Sequence, residues 1–142
     1  ASLLLIAVCL LWRPIGGELF DVHGGGAVVL AVVQLAGSAV IARAVATIDP
    51  LELAGIRISS AATPLQVGGV YRVVRHPLYL GWLMATLGAA HMTGDRLAFA
   101  LITAAYLFAA VPLEERSLVR SFGDDYTRYQ REVRWRIVPF IY

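Results

Sequence analysis

Gly69-Val-Tyr-Arg-Val-Val-Arg-His-Pro-Leu-Tyr-Leu-Gly81 crowds two arginines, a histidine, two tyrosines and a proline into the entrance of an apolar segment. Pro77 suits the first position of a helix, where its missing N–H is not needed, and it disfavours helical geometry at His76. The stretch therefore predicts a helix opening at Pro77, with His76 at its mouth and Tyr79 and Gly81 near its first turn. Free N–H groups and the positive dipole end gather at such a start, which favours an anionic group. A plainer role is equally open to these residues: Arg72, Arg75 and His76 would anchor a helix end among lipid headgroups.

Downstream of this stretch, the apolar segments 78–92 and 97–113 flank a polar Thr93-Gly94-Asp95-Arg96 turn and read as a helical hairpin. Gly81, Ala85, Gly88 and Ala89 on one arm and Ala104 and Ala105 on the other would let the two approach closely. Upstream, 27–48 is the best spanning helix, interrupted only by Gln34 and by Arg43 near its end, before Asp49-Pro50 stops it. Residues 1–12 are apolar but too short to cross a bilayer, which takes about 20 residues, and read as part of a helix. Residues 13–26 read as a glycine-rich loop, and 51–65 as an irregular surface connection. The 142 residues thus form one integral membrane domain of all-α class, a polytopic bundle with a C-terminal hairpin, a polar tail over 114–142 and a short helix within that tail.

Composition agrees. Hydrophobic residues make up 58% of the chain and charged ones 15%, against about 45–50% and 25% in soluble domains. The mean hydropathy is +0.69. All twelve basic residues are arginine, and they are clumped. With alternating helices, Arg57, Arg72, Arg75 and the tail arginines 116, 120, 128, 131, 134 and 136 share one side, while only Arg13 and Arg96 lie opposite. That bias makes the rich side cytoplasmic and predicts a cytoplasmic (bacterial inner) membrane. It also brings the His76 stretch and Glu114-Glu115 to the same end of one hairpin, forming a polar site at the membrane surface.

Two carboxylates directly after a seventeen-residue apolar run need partners if the helix continues to Gly123, as Leu118 and Val119 suggest. A salt bridge to Arg72, Arg75 or Arg116 would merely fix the hairpin; alternatively a carboxylate holds a cation or the hydroxyls of a ligand. Tyr79 and Trp82 offer aromatic faces for a cation or a base ring. Gly123 would cap the long helix, and Asp124 would cap a short one carrying Tyr126 and Tyr129. Several chemistries are disfavoured. Gly24-Gly25-Gly26 follows no strand and is no nucleotide loop. His23, His76 and His91 lack ligand spacing, so no metal is expected. Ser59-Ser60 has no histidine and acid arranged around it. The single Cys9 excludes a disulfide framework. The basic tail with Trp135 suits anionic headgroups better than nucleic acid.

The motif Gly69–Gly81, a hairpin, and then Leu113-Glu-Glu-Arg-Ser-Leu-Val-Arg-Ser-Phe-Gly-Asp-Asp-Tyr-Thr-Arg-Tyr129 resemble the isoprenylcysteine carboxyl methyltransferase and phospholipid methyltransferase superfamily. The likeness covers 67–139, about half the chain. It implies a membrane-embedded methyltransferase that uses S-adenosylmethionine and takes a lipophilic or small methyl acceptor from the bilayer. Carried over by position, Arg75, His76, Pro77, Tyr79 and Gly81 match the first cofactor motif, and Glu114 and Glu115 the second. Tyr126 and Tyr129 lie in the segment that closes the pocket. Arg75 and His76 would then suit the cofactor's carboxylate, and a glutamate its ammonium or ribose. No residue stands out as the chemical catalyst, because methyl transfer to a good acceptor needs positioning and water exclusion first. The other reading is an accessory subunit of a larger membrane complex that kept the scaffold and lost the chemistry. It predicts a collapsed pocket between His76 and Glu115.

Overall fold

The computed structural model describes residues 16–46 and 64–142. The expectations for residues 1–12, Cys9, Arg13, 47–48, Arg57, Ser59-Ser60 and the connection through 51–63 lie outside them. Helices dominate. The order is β1 (Glu18–Asp21), α1 (Gly25–Val45), a single 3-10 turn (Gly69–Arg72), α2 (Pro77–Leu87), β2 (His91–Thr93), α3 (Gly94–Phe122) and α4 (Asp124–Glu132).

The two-stranded ribbon is the first departure from expectation. The helix expected to reach residue 92 ends at Leu87 with Gly88 as its cap, and residues 91–93 pair antiparallel with β1, Asp21 opposite His91 and Glu18 opposite Thr93. The Val22 N–H donates to the Ala90 carbonyl at 3.0 Å and Gly94 N–H to Gly17 at 3.1 Å. Backbone groups that a polar loop would leave to water are thereby satisfied within the chain. The expected turn at 93–96 disappears, since Thr93 ends β2 and Asp95 sits in the first turn of α3, where its charge complements the dipole.

Close packing of small residues is present, with a different partner. A Cβ on Gly81 would lie 2.7 Å from the Gly37 carbonyl, and one on Gly37 would lie 2.7 Å from that of Gly81. Gln34 Nε2 donates to the Ala85 carbonyl at 2.9 Å, and a Cβ on Gly88 would crowd Val33 and Gln34. Gly81, Ala85 and Gly88 therefore face α1 rather than α3. Helices α2 and α3 meet mainly through larger side chains, Leu83 against Leu107 and Val111, with the expected Ala104 packed beside them and the wholly buried Ile137 from the chain's end completing the cluster.

α3 runs for 29 residues, about 44 Å at 1.5 Å per residue. Pro112 lies inside it and removes one ladder hydrogen bond. α1 and α3 are long and apolar enough to cross a bilayer, yet only 11% and 17% of their most apolar stretches are buried within the protein. Val28, Val32 and Leu35 on α1 and Leu101, Ile102 and Tyr106 on α3 are exposed, an apolar surface that suits lipid better than water. The continuation of α3 past Leu113 to Phe122 agrees with the sequence. At Gly123 the backbone takes φ 55°, ψ −126°, which L side chains rarely adopt. That residue alone ends α3 and starts α4, so Gly123, not Asp124, is the cap of the short helix, and Asp124 and Asp125 occupy its first turn.

Candidate functional site

His76 takes φ −120°, ψ 66° and Pro77 opens α2, as steric conflict before a proline dictates. The cradle of free N–H groups is smaller than a helix start alone would offer. Pro77 has none, and the Tyr79 and Leu80 N–H groups already donate to the His76 carbonyl at 3.1 and 3.2 Å.

The chain's last ten residues fold back over this junction. Arg75 N–H donates to the Trp135 carbonyl at 2.9 Å and His76 N–H to that of Arg136 at 2.8 Å. The Arg75 side chain does the rest of the fastening. Its Nε donates to Glu115 Oε1 at 2.6 Å, and its Nη1 donates to the Val133 and Arg134 carbonyls at 2.6 and 3.0 Å. The other Glu115 oxygen lies 3.3 Å from Arg136 Nε and 3.4 Å from Gln130 Nε2. Arg75, His76 and Glu115 are 8%, 6% and 5% exposed. A carboxylate so placed would be costly alone, and two guanidinium groups neutralise it. His76 Nε2, 3.5 Å from Glu115 Oε1, lacks hydrogen-bonding geometry toward it and is buried with no hydrogen-bond partner among the described residues.

Glu114, one step around the helix, faces elsewhere. Its Oε2 accepts from Tyr79 OH at 2.7 Å and lies 3.6 Å from His76 Nδ1. The Tyr79 and His76 rings stack with centroids 5.4 Å apart and planes 12° apart. Beside them is a cavity of about 300 Å³, walled by the motif residues Arg75 to Tyr79, by Glu114, Leu118 and Phe122 of α3, by Tyr126 and Tyr129 of α4, and by Tyr71 and residues 64–66. Tyr126 and Tyr129 sit three residues apart on the buried face of α4, packed with Val133, Tyr71 and Leu118. Tyr129 OH donates to the Tyr71 carbonyl at 2.6 Å. Burial pushes both phenols up from their usual range, with the charge of Glu115 adding to the rise at Tyr126, so both stay neutral.

Of the residues singled out from the sequence, Arg75, His76, Pro77, Tyr79, Glu114, Tyr126 and Tyr129 share the cavity wall. Two lie apart from it. Gly81 sits at the crossing with α1, and Glu115 lies behind Arg75 as the hub of the ion pairs. The salt bridge weighed against a binding role thus exists for Glu115, whereas Glu114 is the carboxylate on the cavity. From sequence, Arg136 belongs to the headgroup-facing basic tail, and nothing in its spacing from Glu115 points to their pairing. At the far end of the bundle the ribbon sets His91 Nδ1 3.6 Å from Asp21 and 3.9 Å from Glu18, a grouping that linear spacing also hides.

The bundle and its polar end define a class, and comparison with known proteins supports it. Methanethiol S-methyltransferase 1 of Bradyrhizobium diazoefficiens is 35% identical over 142 residues, covering 94% of this chain and 50% of that protein. Methanethiol S-methyltransferase of Mycobacterium tuberculosis is 32% identical over 142 residues, 94% of this chain and 58% of that one. Protein-S-isoprenylcysteine O-methyltransferase of Schizosaccharomyces pombe is 35% identical over 72 residues, 49% of this chain and 30% of that one. These relatives are methyltransferases, and with the two apolar helices they point to a membrane protein. The family model of phospholipid methyltransferases matches residues 27–125, and the chain belongs to that family, within the wider superfamily that its paired motifs resemble. It spans about half the length of the curated relatives it matches.

Proposed function

We propose that this chain is the cofactor-binding part of a membrane methyltransferase that moves a methyl group from S-adenosylmethionine to a small thiol. The carrying observation is the cavity at the polar end of the bundle, where the helix start at His76 meets Glu114 in a chain of this family. The residues fit the donor. Glu114 Oε1 engages no partner among the described residues, which suits the cationic sulfonium end of the donor, where the methyl group is handed over. Tyr71, Tyr126 and Tyr129 give aromatic surface for a base ring. Arg75, by contrast, is committed to Glu115 and two carbonyls, so it holds the wall rather than the ligand. When bound, the donor supplies an activated methyl group. The chain's own work is to orient the acceptor and keep water out.

The acceptor is read as a thiol because the relatives matched along 94% of the chain carry methanethiol in their names, while the isoprenylcysteine enzyme matches half of it. The arginine-rich end of the bundle, with the cavity, faces the cytoplasm. Protein in lipid nanodiscs should bind S-adenosylhomocysteine saturably by calorimetry, and His76→Ala should weaken that binding about tenfold or more, the loss of one or two polar contacts. Labelled methyl should pass to methanethiol in preference to a prenylcysteine carboxylate. A folded protein that binds neither form of the cofactor sinks the proposal. The scaffold-only alternative predicts a filled space between His76 and Glu115, and those two side chains do close to 3.5 Å; the methyltransferase reading rests on the open cavity of about 300 Å³ on the Glu114 side.

A further inference from the structure

A thiol acceptor raises a question of protons. An alkyl thiol ionises only near pH 8.5 or above, so close to neutrality it arrives largely protonated and poorly nucleophilic. Arg75 is tied to protein oxygens, and burial keeps the phenols of Tyr126 and Tyr129 neutral. His76 is enclosed, with Nδ1 3.6 Å from Glu114 and Nε2 turned away from the cavity toward Glu115, 3.5 Å off without a hydrogen bond. That leaves Glu114, the one carboxylate on the cavity wall among the described residues, with its side chain 43% exposed. Tyr79 OH occupies its Oε2 and fixes the rotamer, while Oε1 engages no partner among the described residues.

We infer that Glu114 is a catalytic residue, the general base that takes the proton of the thiol acceptor. This rests on the acceptor reading above. The S–H bond breaks and its proton passes to Glu114 Oε1. The electron pair on sulfur forms the new bond to the methyl carbon. The carbon–sulfur bond of the sulfonium donor breaks with its pair left on the donor's sulfur. One anion and one cation become two neutral groups, so charge balances, and Tyr79 and the stacked His76 hold the carboxylate in place throughout.

The test pairs Glu114→Gln with acceptors of different acidity, in nanodisc-held protein. Calorimetry with S-adenosylhomocysteine, which has no sulfonium charge, should give an affinity close to wild type and shows that the variant is folded. Turnover of an alkanethiol should fall about 10²–10⁴-fold, the usual worth of a general base. With an aryl thiol that is already a thiolate at the assay pH, the loss should shrink to below about tenfold, because no proton remains to be removed. An equal loss with both thiols, no loss with either, or lost S-adenosylhomocysteine binding overturns the assignment. Wild-type protein that binds S-adenosylhomocysteine but methylates no thiol overturns the acceptor reading itself, and this assignment with it.

Discussion

Glu114 and Glu115 are chemical twins whose surroundings separate them. Successive residues on a helix point about 100° apart, so one carboxylate meets the cavity and the other turns into the junction where Arg75 and Arg136 wait. Removing one partner of a buried ion pair strands the other charge, at a cost of about 3–5 kcal/mol. Glu115→Ala should therefore destabilise the protein by about that amount, as read from the denaturation midpoint in detergent. Arg136, more exposed than Arg75, is the weaker partner, so Arg136→Ala should cost only about 1 kcal/mol. A Glu115→Ala protein with unchanged stability would show that the hub does not hold the fold.

Elements come together here through glycine contacts and through the fold-back of residues 133–142. α1 and α2 touch backbone to backbone at Gly37 and Gly81, where an added Cβ meets a carbonyl at 2.7 Å. Rigid backbone cannot yield as a side-chain tip can, so Gly81→Leu should lose about 1–3 kcal/mol through overpacking. The same substitution at Gly25, whose Cβ direction is open, serves as the control. If both variants melt alike, the crossing is looser than described. At Gly123, φ 55° makes any L side chain strained, and Gly123→Ala should cost about 1–2 kcal/mol. Because this residue sets the angle at which α4 presents Tyr126 and Tyr129, it should also weaken S-adenosylhomocysteine binding, measured by calorimetry.

Across the whole molecule, the two ends of the bundle differ in kind. One carries the ribbon with Glu18, Asp21 and His91, the other the cavity and the tail arginines. A Cys9→Ser background with a single cysteine placed by Glu18→Cys or Arg128→Cys reports on the membrane orientation. An impermeant maleimide should label the first in intact cells and the second only after lysis. The reverse pattern would put the cavity on the outer side and remove a cytoplasmic supply of the methyl donor.

Much of this architecture is legible in the residues alone. Pro77 dictates a helix start, the long apolar run before Glu114 dictates a span, and Gly123 dictates a break, because each is a local steric or solvation demand that no distant contact needs to complete. The His76 and Glu114 motifs announce themselves by residue type, and their meeting follows from hairpin topology. The tertiary structure alone decides pairing. Whether Gly81 opposes α1 or α3, whether residues 91–93 close a helix or a ribbon, and which neighbouring glutamate is consumed by Arg75 all depend on groups dozens of residues away. Short-range preferences are nearly degenerate at such positions, and burial of a distant partner breaks the tie. The chain order thus supplies the chemical groups of the site, while packing selects which of them remain free to act.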